Sequence, residues 1–202
     1  MSKLMLLSKD QIKPASIIIS KAFFRDPLMI YLFPESNGRE QKLAYMMELL
    51  IRIGMNYGIV HVTSPKLEGI AIWFPSNNVK ITPWMGILNG GISYFFKLGK
   101  KLVKRQNRIY NYINSKHRAL FSSQHWYLSV IAIDPLFQGR GFSHILLNSM
   151  FIQIDKQNLA TFLDTNNKEN IPIYKKHGFK ILEKYEIPNT KLINWAMIRD
   201  KK

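Results

Sequence analysis

The chain of 202 residues contains no cysteine, which excludes disulfides, thiolate metal sites and a cysteine nucleophile. It also lacks an apolar run that approaches the length of a membrane span, and the apolar stretch near its N-terminus is too short for the core of a secretory signal. Its five histidines show no close spacing typical of metal ligands. From these absences we expect a cytoplasmic protein that uses no metal.

Acidic residues are scarce: 13 Asp and Glu stand against 29 Lys and Arg, and the formal net charge is +16. Such an excess attracts polyanions, among them nucleic acid, anionic lipid and nucleotide-bearing cofactors. Lysine, asparagine and isoleucine are abundant throughout, and a compositional bias of this kind explains the charge without any partner. The hydrophobic fraction of 47% is that of a globular protein with a substantial core.

What the sequence does contain is a strand, a glycine-bearing turn and a helix in direct succession. An apolar run over 127–133 stops at an Asp-Pro pair, two glycines flank an arginine over 139–141, and a pattern of helical period begins at Phe142. Free backbone N–H groups at the start of a helix, with no Cβ in front of them, bind phosphate. Two common phosphate loops are excluded, because the Walker type needs four residues between its glycines and the dinucleotide fingerprint needs a glycine where His144 stands.

The stretch resembles motif A of the GNAT N-acetyltransferase family, a Gln/Arg-x-x-Gly-x-Gly/Ala turn after a strand that ends in Asp-Pro. Gln138 and Gly141 match this motif, and Ser143 takes the place of its small residue. A second block over 162–179 resembles the family's next strand and helix through its Asn-x-x-x-Tyr-x-x-x-Gly-Phe spacing. The resemblance implies an α/β (α+β) fold of one domain over 1–202, with a mixed, mostly antiparallel sheet flanked by helices and splayed central parallel strands.

The resemblance also implies acetyl-CoA as the acyl donor. Backbone groups in the gap between the splayed strands would bond the pantetheine arm as an added strand does. The pyrophosphate would lie on the glycine turn, at the positive end of the following helix. The cofactor-binding residues that we expect are Ile131, Ala132, Ile133, Gln138, Gly139, Arg140, Gly141, Phe142, Ser143, His144 and Asn170.

Direct acyl transfer to an amine needs a base for the ammonium, a donor to the oxyanion and an acid for the departing thiolate. Tyr174 resembles the family's general acid, and a backbone N–H near Ile133 is the expected donor. Asp164, at a strand end beside the cleft, is the expected base, with His125 and Tyr127 as competitors. A carboxylate at a strand end is also often only a cap or turn ligand.

The acceptor pocket depends on the N-terminal half. The segment 28–34, after the helix-breaking Asp26-Pro27, lines the acyl-acceptor pocket in the family, so Tyr31 and Phe33 are candidate substrate contacts, although core packing also explains them. The Asp-Pro turn, the His-Trp-Tyr-Leu strand entry and the Tyr-Lys-Lys-His-Gly-Phe segment resemble the puromycin-type branch. That branch implies a primary amine of a small molecule as acceptor, and a peptide amine stays open.

Residues 80–118 are the least family-like part and are interpreted as a basic helical insertion within the domain. Lysines and arginines recur over 97–108 opposite apolar residues, which predicts a basic amphipathic helix, and the glycine pair 90–91 predicts a break before it. A solvated face, RNA contact and membrane-surface contact all stay open. The alternative function is therefore a nucleic-acid- or ribosome-associated protein that uses a GNAT scaffold without catalysis.

Hydrophobic patterning predicts the remaining elements. A helix is expected over 40–57, a hairpin from 59–63 and 67–74, and a last hairpin from 179–187 and 191–198. Asn170 is expected to cap a short helix before Gly178.

Overall fold

The computed structural model describes residues 4–201. The two ends of the predicted domain, residues 1–3 and residue 202, lie outside the described residues. The strands are β1 (Met5–Leu6), β2 (Ile59–Val62), β3 (Gly69–Pro75), β4 (His125–Ile133), β5 (Ala160–Thr165), β6 (Lys180–Glu186) and β7 (Ile193–Arg199). They form one sheet in the order β1-β2-β3-β4-β5-β7-β6. Only β4 and β5 are parallel, and the other neighbouring pairs are antiparallel. The predicted mixed, mostly antiparallel sheet is confirmed.

Helices cover both faces of the sheet. They are α1 (Ile12–Ala22), α2 (Pro27–Leu32), α3 (Arg39–Tyr57), α4 (Pro83–Leu88), α5 (Gly91–Leu98), α6 (Lys100–Leu120), α7 (Phe142–Lys156) and α8 (Ile171–Lys176). On one face, Val130 and Phe162 pack with the N-terminal helices and α6. On the other, Leu128 and Leu163 pack with α7 and α8. Successive strand residues point to opposite faces, so the central strands supply both cores.

The sheet opens between β4 and β5. Their parallel pairing covers 125–128 of β4 and 160–163 of β5, and then stops. Beyond that point the β5-facing edge of β4, over 129–133, has no strand partner within the part of the chain that the structure describes. The predicted splay of the central parallel strands is confirmed.

A β-bulge in β4 lies where the splay begins. In the pairing with β3, Trp73 is opposite Leu128 and Ile72 is opposite Val130, which leaves Ser129 as an extra residue. A bulge bends its strand and increases the local twist. The bulge therefore turns β4 away from β5 and leaves the backbone of the following residues open to a ligand.

The predicted continuous basic helix over 97–108 is wrong. Gly99 has φ +80°, in the left-handed region that favours glycine, so α5 ends before it and α6 begins after it. The predicted break at 90–91 is confirmed, because Gly90 has φ +103° and directly precedes α5. No helix in residues 4–201 is long and apolar enough to cross a bilayer.

Candidate active site

The turn from β4 to α7 is fixed by hydrogen bonds at its start. The Asp134 side chain accepts a bond from the Leu136 N–H (3.0 Å), and the Asp134 N–H donates to the Glu68 carbonyl (2.9 Å). Gln138 Nε2 donates to the Ile133 carbonyl (3.4 Å), which ties the turn back to the strand. These bonds hold the turn in one position at the open end of β4.

Gly139 and Gly141 leave the turn uncovered. Their φ angles of +76° and +81° lie in the left-handed region, and a Cβ added to either would meet no heavy atom of the described chain within 4 Å. The N–H groups over 142–144 precede the first bond of α7, which Ile145 donates to the Gly141 carbonyl (3.2 Å). The turn therefore presents bare N–H groups at the positive end of a helix, an arrangement that binds phosphate.

The side chains around the turn place positive charge beside it. The Arg140 guanidinium lies 5.3 Å from the centroid of the Phe137 ring, and Phe142 packs edge-on against the same ring at 6.1 Å. Ser143 is half-buried, and the exposed His144 contacts Asn148 Nδ2 (2.7 Å). Of these groups, Arg140 carries the charge that a pyrophosphate would require.

The open edge of β4 offers its backbone more than its side chains. Ala132 is buried in the core on the α6 side of the sheet, and Ile131 and Ile133 pack on the α7 side. Their backbone pairs with β3 on one edge and with no strand of the described chain on the other. These main-chain groups are therefore the ones that the gap presents to a ligand.

Asn170 occupies the predicted N-cap position of α8, but its side chain makes no cap bond. The side-chain cap is made by Asn167 instead, whose Oδ1 accepts a bond from the Glu169 N–H (3.0 Å) in the turn before α8. The Asn170 side chain makes no hydrogen bond within residues 4–201, which leaves it able to bond a ligand.

Tyr174, in α8, is 8% exposed and its ring packs edge-on against Phe179 at 5.9 Å. Its hydroxyl makes no hydrogen bond with the residues that the structure describes. Burial raises the pKa of Tyr174 above its ordinary value, and the charge of Asp26 raises it further. The side chain therefore stays protonated at neutral pH, as a general acid must.

Asp26, which the sequence indicated only as a helix breaker, is coupled by its charge to Tyr174. Its Oδ1 accepts bonds from the N–H groups of Leu28 (3.0 Å) and Met29 (3.2 Å) at the start of α2, and its Oδ2 accepts none from the described residues. Burial raises the pKa of Asp26 to about 6, although those two backbone bonds oppose the shift. The Asp-Pro pair in the sequence marks the cap, but no pattern in it indicates the electrostatic coupling to Tyr174.

Asp164 ends β5 within a hydrogen-bond network. Asn194 Nδ2 donates to its Oδ1 (2.6 Å), and the Tyr127 hydroxyl donates to its Oδ2 (3.3 Å). Asn194 Nδ2 also donates to the Tyr185 hydroxyl (2.7 Å). Burial raises the pKa of Asp164 to about 7 despite the neighbouring donors. Both carboxylate oxygens are thus already bonded, and the role of Asp164 as the base stays a prediction.

His125, a competitor for the role of base, lies opposite Ala160 at the paired end of β4, away from the splay. Its Nδ1–H donates to the Ser123 carbonyl (2.6 Å), so its Nε2 accepts from His117 Nε2–H (2.8 Å). Burial lowers the pKa of His125 and, with the charge of His125, lowers the pKa of His117 to about 4. We interpret this buried pair as part of the core.

In residues 4–201 no group of three or more side chains that could hold a metal ion was found.

The two predicted acceptor contacts differ in exposure. Phe33 is 4% exposed and packs in the core, whereas Tyr31 is half-buried and its hydroxyl donates to the Asn189 carbonyl (3.4 Å). The Arg105 guanidinium lies 5.6 Å from the Tyr31 ring centroid and also donates to the Leu32 carbonyl, which fastens α6 to α2. Contact of either aromatic side chain with an acceptor stays a prediction.

Comparison with known proteins yields a family match over part of the chain. The acetyltransferase (GNAT) family model matches residues 96–179, which include the glycine turn and Tyr174. An uncharacterised N-acetyltransferase of Schizosaccharomyces pombe is 28% identical over 180 residues, which cover 85% of this chain and 71% of the relative.

Solved acetyltransferase structures share the fold. A histone acetyltransferase and related acetyltransferase from Corynebacterium glutamicum has a TM-score of 0.68 at 20% identity, covering 100% of this chain and 98% of that chain. A putative arylalkylamine N-acetyltransferase from the yellow fever mosquito has a TM-score of 0.64 at 13% identity, covering 96% and 85% of the two chains. The chain has the GNAT fold, and the family match together with the relative supports an acetyltransferase.

Proposed function

We propose that this protein transfers the acetyl group of acetyl-CoA directly to an amine nitrogen of a small molecule or a peptide, and that it acts in the cytoplasm. The observation that carries the proposal is the open turn over 138–144, which follows the unpaired edge of β4. A Cβ added at Gly139 or Gly141 would extend into open space beside the turn, where phosphate oxygens would lie. The puromycin-type resemblance, and with it a small primary amine as acceptor, stays a prediction.

The residues present fit acetyl-CoA. The N–H groups of 139–144 and the Arg140 guanidinium would hold the pyrophosphate, while the main chain over 131–133 and the Asn170 side chain would hold the pantetheine arm. When bound, acetyl-CoA supplies an activated thioester carbonyl. The N–H near Ile133 would donate to the acyl oxygen as negative charge develops on it.

Two side chains are proposed to move protons. The Tyr174 hydroxyl, protonated at neutral pH and free of protein partners in the described chain, would donate its proton to the departing sulfur. Asp26 is the stronger candidate to accept the proton of the substrate ammonium, because its Oδ2 has no donor in residues 4–201 and its charge acts on Tyr174. Asp164 is the second candidate, with both oxygens engaged by neighbours.

Calorimetry with acetyl-CoA tests the binding site. The wild type is expected to bind, and Gly141→Ala is expected to lose at least tenfold in affinity, because the added Cβ strains the turn and faces the phosphate. Gly38→Ala is the matched control, since Gly38 has φ +73°, equally open surroundings and no place in the turn. No heat of binding in the wild type, or equal losses in both variants, would overturn the proposal.

The dependence of kcat/KM on pH distinguishes the two bases, with a panel of primary amines and peptides as acceptors. If Asp26 is the base, activity rises with pH around a midpoint of about 6, and Asp26→Asn removes that limb. If Asp164 is the base, the midpoint is about 7 and Asp164→Asn removes it. Retention of the limb in both variants would exclude both carboxyl groups.

A further inference from the structure

Two short helices expose their apolar faces instead of burying them. The exposed side chains stand at positions i, i+3 and i+4 of each helix, which places them on one face. They are Trp84 (66% exposed), Ile87 (47%) and Leu88 (58%) in α4, and Ile92 (58%), Phe95 (40%) and Phe96 (80%) in α5. Each helix buries a different residue, Met85 in α4 and Tyr94 in α5. Helices of globular proteins normally turn such a stripe toward the core, so this outward stripe indicates a partner.

The same region is basic without interruption. No acidic residue occurs between Glu68 and Asp134, an interval that holds nine lysines and arginines. Those exposed in α5 and in the first half of α6 are Lys97, Lys100, Lys101, Lys104 and Arg108. Among residues 4–201, no carboxylate lies within 4.0 Å of any of these five.

The positions of two of these lysines lower the stability of the fold. Lys100 and Lys101 occupy the first turn of α6, which contains no acidic residue. The N-terminus of a helix carries partial positive charge, so cations there are repelled. A partner with negative charge beside an apolar layer would offset both this repulsion and the exposure of the apolar stripe.

We propose that α4, α5 and the start of α6 form a surface that binds anionic membranes. The apolar faces of α4 and α5 lie at the boundary between head groups and acyl chains, and the lysines of α6 contact anionic head groups. The charge of +16 disfavours a second copy of the chain as occupant, because the two copies repel each other. The phosphates of RNA could contact the lysines, but RNA bases stack on aromatic rings. The exposure of the aliphatic Ile87, Leu88 and Ile92 is therefore not explained by RNA binding.

Vesicle sedimentation tests this surface. The protein is expected to bind phosphatidylcholine vesicles that contain about one-third phosphatidylserine and to dissociate from them as the salt concentration rises. It is expected not to bind vesicles of pure phosphatidylcholine. The pair Trp84→Ser and Phe96→Ser should lower vesicle affinity about tenfold or more, because two large apolar contacts are lost. When Lys100→Glu and Lys101→Glu are added to that pair, the vesicle affinity should fall by about another tenfold or more.

Matched variants elsewhere control for general charge and hydrophobicity. Ile152→Ser, at a 42% exposed position of α7, and the pair Lys13→Glu and Lys21→Glu, on the exposed side of α1, should bind vesicles as the wild type does. Acetyl-CoA binding should be equal in all variants, so the test is independent of the proposed enzymatic function.

Three outcomes overturn the proposal. The first is no vesicle binding by a wild type that is folded by circular dichroism, and the second is equal loss in the control variants. The third is a different occupant: salt-sensitive RNA binding without vesicle binding, or a dimer in gel filtration that the Trp84→Ser and Phe96→Ser pair abolishes.

Discussion

The free energy of unfolding of the Asp164→Asn variant, minus that of the wild type, should be larger at pH 8 than at pH 4. Burial raises the pKa of Asp164 to about 7 from a reference of 3.8, so the folded state holds this proton more tightly than the unfolded state. The wild type therefore loses free energy of unfolding as pH rises from about 4 to about 7. At 1.36 kcal/mol for each pKa unit, the loss is about 4 kcal/mol.

The wild-type profile alone would not isolate this slope, because the raised pKa of Asp26 adds to it and the lowered pKa of His117 opposes it. Burial lowers the pKa of His117 to about 4 from 6.5, so its contribution is present above pH 6.5 and is lost as pH falls toward 4. That change amounts to about 3 kcal/mol in the opposite direction. Only the difference between variant and wild type isolates the carboxyl group.

Urea unfolding at a series of pH values measures the difference directly. The stability of Asp164→Asn minus that of the wild type should rise by about 4 kcal/mol between pH 4 and pH 8, because the amide keeps the shape of the side chain and carries no charge. Asp10→Asn, at an exposed position, controls for the loss of one negative charge. A difference that stays constant within about 1 kcal/mol would refute the reasoning, since the network around Asp164 would then solvate its charge as well as water does.

Two further predictions concern single side chains. Tyr174→Phe should lower kcat while the Kd for acetyl-CoA stays nearly unchanged, because only the proton donor is removed; unchanged turnover in single-turnover kinetics would exclude Tyr174 as the acid. Arg199→Met should lower the free energy of unfolding by about 3 kcal/mol, because the buried Arg199 makes two charge-assisted bonds to Asp155 (2.6 and 2.7 Å) that methionine cannot form. Lys180→Met, which removes an exposed pair with Asp200, should change it by less than about 1 kcal/mol, and equal effects in the two variants would contradict the role of burial.

Most secondary-structure elements could be predicted from local patterns. The helix predicted over 40–57 is α3, and the strand pairs β2–β3 and β6–β7 lie within two residues of the predicted hairpin segments. Glycines were informative because their dihedral freedom is a local property, as at Gly90. The prediction of a continuous basic helix was wrong because Gly99 adopts a left-handed φ and separates α5 from α6. The spacing of the lysines and arginines alone did not indicate this break.

The sequence by itself determined the glycine turn and the order of strand, turn and helix around it, because those features depend on neighbours along the chain. Only the tertiary structure decided that Asp26 acts on Tyr174, that Asp164 has both oxygens bonded, and that Ser129 forms the bulge where the sheet opens. It also decided that the apolar sides of α4 and α5 face outward. Hydrophobic periodicity indicates that a helix has an apolar face, but the direction of that face depends on contacts between residues far apart in the chain.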